Sequence, residues 1–221
     1  MRRFHVAFVI AGLGLMSASA QAETRKFDFA ADAVGSPPAG FTFARTGGGK
    51  PGVWVVQTDA ALGRKVLAQT DADQVGMRFP VAIADAVVAA DVDVSVKFKP
   101  ISGSEDMAAG LVWRYRDKDN YYIVRANALE DNVVLYKVQN GRRIDLALKG
   151  KGKTYGAKAP VPKGQWSDLR VTAAGSLFTV YLNGQQLYEV EDQTFPGAGK
   201  VGVWTKADSV TQFDALTIIT K

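Results

Sequence analysis

Cysteine is absent from the 221-residue chain, and histidine occurs only once, at His5. A chain without cysteine has no disulfide framework, no thiolate metal ligand and no attachment site for a c-type haem. Because the one histidine lies at the extreme N-terminus, the remainder of the chain is also without Ser-His-Asp or Cys-His catalysis and without imidazole zinc sites. Carboxylate, lysine, tyrosine and arginine chemistry remain open.

The chain also has no apolar run of the roughly 20 residues that a membrane-spanning helix needs. The apolar run Val6–Met16 follows a basic start at residues 1–3 and precedes the sequence Ala-Gln-Ala at residues 20–22. A short basic start, a short apolar run and a small-x-small site are typical of a cleaved export signal. We therefore predict a signal peptide over residues 1–22 and one mature domain over 23–221, periplasmic or secreted, without membrane insertion.

Charge of one sign is scarce as well. The chain has 27 basic and 22 acidic residues, a formal net charge of +5, and Arg2 and Arg3 would leave with the signal peptide. Nucleic-acid binding through counterion release needs several clustered basic residues. We therefore expect no nucleic-acid partner, and we expect a monomer.

The pattern that is present is short alternating apolar and polar runs, separated by turn signals, without helical periodicity. This pattern predicts an all-β fold, a two-sheet antiparallel β-sandwich. Asn140-Gly141 and Asn183-Gly184 are typical of two-residue hairpin turns, which need positive φ. Two long loops, Ser36–Gly52 and Lys149–Gly164, interrupt the pattern; such loops are either functional or mobile crossovers.

Alternation also predicts which residues share a face. If the four strands between residues 90 and 139 are neighbours in sequence order, as in a meander, one solvent face collects six polar residues. These are Asp93, Lys97, Arg114, Tyr121, Arg125 and Lys137. Two interpretations stay open: a solvated face with weak cross-strand ion pairs, or a groove that binds hydroxyls and carboxylates. Tyr121 and Tyr155 are candidate stacking platforms for a sugar ring.

Four segments carry a family resemblance: Gly110–Tyr122, Tyr181–Leu187, Gly199–Thr205 and Phe213–Leu216. They resemble the concanavalin A-like jelly rolls, namely the laminin-G-like and 3-keto-disaccharide-hydrolase-type domains. The resemblance implies a jelly roll with a concave face where ligands often sit. It also suggests a structural calcium where the first and last strands meet. Asp28 and Asp214 are the candidate ligands by position, and turn-capping aspartates are the other interpretation.

The signal peptide, the predicted polar face and the resemblance together lead us to predict an exported β-sandwich that binds a saccharide or polyol without catalysis. The glucanase motif Glu-x-Asp-x-(x)-Glu is missing, and the nearest pattern is Glu189-Val190-Glu191. Four acidic residues fall in predicted loops that could border a groove, and solvated loop acids are the other interpretation: Glu105, Asp106, Glu130 and Asp131. One alternative is a glycoside hydrolase or lyase of the 3-keto-disaccharide-hydrolase type, and another is a protein-interaction module of the cell envelope.

Overall fold

A computed structural model describes residues 22–221 and shows 16 β-strands. The strands are β1 (Thr24–Phe27), β2 (Phe41–Gly47), β3 (Trp54–Asp59), β4 (Arg64–Gln69), β5 (Arg78–Ala89), β6 (Val92–Ser102), β7 (Ala108–Asp117), β8 (Asn120–Asn127), β9 (Asn132–Gln139), β10 (Arg142–Asp145), β11 (Ala157–Lys158), β12 (Ser167–Ala174), β13 (Leu177–Leu182), β14 (Gln185–Glu191), β15 (Gly199–Trp204) and β16 (Val210–Thr220). No helix in this part of the chain is long and apolar enough to cross a membrane. The predicted signal peptide, apart from Ala22, lies outside the described residues.

The strands form two antiparallel sheets of eight strands each. The first sheet has the order β14-β13-β12-β6-β16-β4-β3, with β1 on β16; the second has the order β10-β9-β8-β7-β15-β5-β2, with β11 on β9. The predicted two-sheet antiparallel β-sandwich is therefore confirmed. The two predicted asparagine-glycine turns are confirmed too, since Asn140, Gly141, Asn183 and Gly184 all have positive φ.

The main core lies between the sheets. In β6, Val92, Val94, Val96 and Phe98 point into this core and are buried, as the alternation predicts. From the second sheet, Trp113 stacks on Tyr122 at 5.5 Å between ring centroids, and both rings contact Phe178 of the first sheet. These aromatic contacts join the two layers, because offset and edge-on ring pairs stabilise a core beyond the area they bury.

The second sheet curls so strongly that strands far apart in its order come into contact. A flat sheet would hold β10 and β5 about 24 Å apart, five strand spacings. The Arg143 guanidinium of β10 nevertheless lies 4.8 Å from the ring centroid of Phe79 on β5. Likewise, the Thr46 hydroxyl of β2 hydrogen-bonds to the carbonyl of Lys118, in the turn between β7 and β8. The outer face of the second sheet is therefore concave.

A second core fills this concave face. It contains eleven buried apolar side chains: Phe79, Val81, Ile83, Ala108, Val112, Tyr121, Ile123, Val134, Tyr136, Val138 and Trp204. Trp204 lies against Gly110, where an added Cβ would be 3.3 Å from Cε3 of the indole and 2.3 Å from Cδ1 of Ile123. Gly110 therefore gives the indole room to lie close to the sheet. The prediction of a solvated outer face is wrong here, because the curled sheet covers its own outer surface.

Candidate functional site

The six residues predicted to share one face are divided among different surfaces. The strands are not neighbours in sequence order: β6 lies in the first sheet between β12 and β16, whereas β7, β8 and β9 lie in the second. Asp93 makes a two-pronged ion pair with Arg170 at 2.7 and 2.6 Å, and Lys97 pairs with Asp168 at 3.0 Å. The predicted grouping is thus wrong for Asp93 and Lys97, whose partners are cross-strand neighbours in the first sheet.

Arg114 does not face the groove. A bulge at this position gives Arg114 a φ of 48° and shifts the register between β7 and β8. The side chain is turned to the end of the sandwich and buried, where it donates to the carbonyls of Ala90, Phe195 and Gly175 and to the carboxylate of Asp91. Simple alternation fails at a bulge, because the extra residue reverses the side on which a side chain lies.

Lys137 faces away from the concave side as well. Its ammonium group donates to Asp192 at 3.0 Å and to Thr194 at 2.7 Å. Asp192 also accepts a hydrogen bond from the Tyr122 hydroxyl at 2.6 Å. Burial alone would raise the pKa of Asp192, but the hydrogen bonds from Thr194, Tyr122 and Lys137 outweigh it and lower this pKa.

Of the six, Tyr121 and Arg125 lie together on the concave face, and both are fully buried. The Tyr121 hydroxyl pairs with Thr46 at 2.8 Å, and its ring contacts Tyr115 at 5.6 Å, so Tyr121 is part of the second core rather than an open stacking platform. Arg125 lies below the surface at one end of the same face. Whether either contacts a ligand stays a prediction.

The two predicted calcium ligands lie where the first and last strands pair, β1 with β16. Asp28 is exposed and accepts the Ala30 amide at 3.1 Å. Asp214 is buried and forms an ion pair with Arg64. Among residues 22–221, no three acidic or other ligating side chains come together in a group that could hold a metal. Calcium binding at Asp28 and Asp214 stays a prediction.

An open cleft of about 470 Å³ lies next to Glu130 and Asn132, the hydrogen-bond partners of Arg125. We call it the Tyr155 cleft; its lining residues are Leu129, Glu130, Asn132, Thr154, Tyr155, Gly156 and Lys158. One wall is the tip of the β8–β9 hairpin, and the other belongs to the long loop Lys149–Gly164. The Tyr155 side chain is 46% exposed, which makes it one of the few large exposed aromatic rings of the described chain.

Gly156 fixes the position of Tyr155. An added Cβ at Gly156 would lie 2.1 Å from the carbonyl oxygen of Val133 on β9, and both Tyr155 and Gly156 have positive φ. A close backbone approach of this kind requires glycine. It holds the Tyr155 ring edge-on to Tyr136, at 6.1 Å between centroids. A non-glycine residue in this backbone region is strained, and such strain is concentrated at functional sites.

Hydrogen bonds join the two walls of the cleft. The Lys158 ammonium group donates to the Glu130 carbonyl at 3.0 Å. Asp131 connects the hairpin to the loop twice, through its carbonyl to the Ala159 amide at 3.0 Å and through its carboxylate to the Val161 amide at 2.9 Å. The cleft is therefore formed before any ligand arrives.

Below the cleft, a chain of polar groups holds Glu130 in place. Arg125 donates to both carboxylate oxygens of Glu130, at 3.2 and 2.8 Å, and to the Asn132 side chain at 2.8 Å. Asn127 bridges Glu130 to Asp106, with donor distances of 3.0 and 2.8 Å. Nε of Arg125 is buried and has no hydrogen-bond partner in the described chain.

The two carboxylates of this chain have opposite pKa shifts. Burial would raise the pKa of Glu130, but the hydrogen bonds and charge of Arg125, with Asn132, hold it below its usual 4.5. Burial raises the pKa of Asp106 above its usual 3.8, although the ion pair with Lys206 acts in the other direction. Asp106 is 1% exposed. It therefore supports the cleft from below and has no access to a ligand.

The sequence pointed to part of this site. It singled out the long loop and Tyr155, and it placed Glu130 in a loop beside a groove. It missed Asn132, Thr154 and Lys158, because nothing in a single sequence shows that the loop folds back against the β8–β9 hairpin. The tyrosine-glycine pair at 155–156 is the local signal that could have indicated this close approach.

The sequence matches no protein-family model and no curated protein sequence. Solved structures are similar in fold. The carbohydrate-binding module CBM66 from Bacillus subtilis aligns with a TM-score of 0.60 and 20% identity over 80% of this chain and 94% of that chain. A second similar structure is domain 4 of AbnA, a GH43 extracellular arabinanase from Geobacillus stearothermophilus, in complex with arabinotriose. It aligns with a TM-score of 0.56 and 16% identity over 90% of this chain and 93% of that chain. The cellulose induced protein Cip1 aligns with a TM-score of 0.62 and 13% identity over 89% of this chain and 97% of that chain. At these identities the chain shares the fold of lectin-like sandwiches.

Proposed function

We propose that this protein binds a saccharide in the Tyr155 cleft and does not turn it over. The observation that carries the proposal is an exposed tyrosine ring, rigidly placed, beside a carboxylate, an amide, a hydroxyl and an ammonium group in one preformed cleft. Ligand sites combine an apolar surface with a few convergent polar groups that fix orientation. The ring offers a surface to the apolar face of a pyranose or furanose, and the exposed Thr154 hydroxyl and Lys158 ammonium group offer partners to its hydroxyls.

The fold comparisons support this proposal. One of the three similar structures is a carbohydrate-binding module, and another is a complex with arabinotriose. Fold alone does not fix function, so the weight rests on the chemistry of the cleft. Export through the predicted signal peptide fits the same proposal, since polysaccharides are met outside the cytoplasm, and we retain it as part of the proposal together with a monomeric state.

The state of the carboxylates favours binding over hydrolysis. Hydrolysis of a glycoside takes two carboxyl groups that reach the scissile bond from either side. Both oxygens of Glu130 are engaged by Arg125, Asn127 and Asn132. The second carboxyl group, Asp106, is sealed below the surface against Lys206. The pair is therefore arranged to hold the cleft rather than to move a proton.

Calorimetric titration of residues 23–221 with neutral and acidic oligosaccharides tests the proposal. Tyr155→Ala should weaken binding about fivefold or more, because a stacked ring contributes on the order of 1 kcal/mol or more. Tyr181→Ala is the matched control: Tyr181 is a partly exposed tyrosine on the first sheet, where it contacts Arg170. No binding by any saccharide, or equal loss in both variants, would refute the proposal, and release of shorter products from a bound saccharide would refute the absence of turnover.

A further inference from the structure

Arg143 contacts aromatic rings and has no acidic partner among the residues that the structure describes. Its guanidinium lies over three aromatic rings of the concave face, 4.5 Å from the centroid of Tyr136, 4.8 Å from Phe79 and 5.9 Å from Trp204. Within residues 22–221, no carboxylate lies within ion-pair distance of it. Asp145, on the same face two residues further along β10, pairs with Lys153 at 3.6 Å instead.

The buried arginines Arg78, Arg114 and Arg125 have hydrogen-bond partners that include a carboxylate. Arg78 and Arg114 each donate to three backbone carbonyls and one carboxylate, and Arg125 has Glu130 and Asn132. Nη1 of Arg143, by contrast, is buried and has no hydrogen-bond partner in the described chain. A buried cationic donor without a partner is costly, and native structures keep such groups rarely. Aromatic contacts alone satisfy the charge and leave the donors unpaired.

Arg143 belongs to the same surface as the Tyr155 cleft. The Tyr136 ring contacts both Arg143, at 4.5 Å from its centroid, and the Tyr155 ring, at 6.1 Å between centroids. The Arg125 guanidinium lies 5.8 Å from the centroids of both tyrosines. A buried unpaired Nε on Arg125 and a buried unpaired Nη1 on Arg143 therefore flank one ring. Arg125 is fully buried and its charge is paired with Glu130. Arg143, which is partly exposed and has no acidic partner in the described chain, therefore supplies the unpaired positive charge next to this ring.

We infer that the saccharide bound in the Tyr155 cleft carries a carboxylate, as a uronic acid does, and that Arg143 binds this group. The inference rests on the proposed function and adds the chemical class of the ligand. A guanidinium matches a carboxylate with two parallel hydrogen bonds, a geometry that neither a hydroxyl nor an ammonium group reproduces. The side chain is partly exposed, so an anion can reach it from the open side of the concave face.

The test uses several uronate oligosaccharides, each paired with its carboxyl-reduced neutral counterpart, titrated into residues 23–221. Arg143→Met removes the charge and keeps most of the apolar stem over the three rings. Arg143→Lys keeps the charge and loses the fork. Arg142→Met is the matched control, because Arg142 is the preceding residue of β10 and is exposed. Melting curves of all variants identify any that fail to fold.

We expect at least one uronate to bind more than about tenfold tighter than its neutral counterpart, the gain of one charge-assisted pair. This preference should be lost in Arg143→Met, reduced in Arg143→Lys, unchanged in Arg142→Met, and weakened by 1 M salt. Equal binding of acidic and neutral partners overturns the inference and leaves the proposed function intact. An unchanged preference in folded Arg143→Met also overturns it. Failure of every saccharide to bind overturns the proposed function itself.

Discussion

Arg114→Met tests the structural assignment of a residue that the sequence alone placed in the ligand groove. The guanidinium donates to the carbonyls of Ala90 at 2.8 Å, Phe195 at 2.9 Å and Gly175 at 2.6 Å. It thereby connects the β5–β6 turn, the segment before β15 and the β12–β13 turn at one end of the sandwich. Methionine retains most of the buried stem, so the change removes the hydrogen bonds while leaving the packing nearly intact.

The expected loss of stability is large for one side chain. Each buried carbonyl left without a donor costs about 1–3 kcal/mol. The hydrogen bond to Phe195 is buried, whereas those to Ala90 and Gly175 are partly buried, so water can replace the donor at these two carbonyls in part. The three together give a loss of about 3–6 kcal/mol in the free energy of unfolding. For a domain of this size, 1 kcal/mol corresponds to roughly 2–4 °C, so the melting temperature should fall by roughly 6–24 °C.

Urea denaturation followed by tryptophan fluorescence measures this loss, with Arg116→Met as the control. Arg116 is exposed, and its guanidinium contacts the Phe195 ring at 5.1 Å. Its replacement should cost less than about 1 kcal/mol. If Arg114→Met unfolds within 1 kcal/mol of the wild type but loses saccharide binding, Arg114 is a ligand residue and the structural reasoning is refuted.

Two further changes probe the supports of the concave face. Asp208 accepts the amides of Ser104, Glu105 and Asp106; burial would raise its pKa, but these hydrogen bonds lower it below 3.8. The Asp208 carboxylate therefore stabilises the fold above pH 3.8, and this stabilisation is lost as the pH falls through the folded-state pKa. The difference in the free energy of unfolding between wild type and Asp208→Asn, measured by urea denaturation, should be largest at pH 7 and should disappear at lower pH. A difference independent of pH would contradict this. Gly110→Ala should lower the free energy of unfolding by about 1–3 kcal/mol, because the added Cβ would lie 2.8 Å from the Val124 carbonyl oxygen and 2.3 Å from the Ile123 side chain. A melting temperature equal to that of the wild type would contradict the close packing of Trp204 on Gly110.

The sequence predicted the part of the fold that depends on local pattern. Alternation in β6 and β8 assigned Val94 and Tyr122 to the main core, because residue i and residue i+2 of a strand must share a face. The asparagine-glycine turns were predictable for the same reason, since few residues adopt positive φ without strain. Such signals act within a few residues, so a single sequence reveals them.

What the sequence could not supply is the pairing between distant strands. The prediction assumed that strands follow each other in space, but β6 pairs with β12 and β16, about 70 to 130 residues further along the chain, and lies in a different sheet from β7. The curl of the second sheet is equally non-local, because it brings Arg143 to Phe79 across four intervening strands. The bulge at Arg114 adds a local exception that alternation cannot anticipate. The strand order places Asp93 and Lys97 in cross-strand ion pairs, and the bulge places Arg114 among backbone carbonyls.

The same non-local contacts order the Tyr155 cleft in the absence of a ligand, which favours the proposed binding. The β8–β9 hairpin and the long loop are held together by Lys158, Ala159 and Val161, and the loop is pressed on β9 through Gly156. Binding to mobile loops costs free energy for every side chain that is immobilised. Here that ordering is completed on folding, so the exposed ring of Tyr155 and the donors below it are already in place. Loosening the loop, for example by Asp131→Ala, should therefore weaken saccharide binding even though Asp131 does not line the cleft.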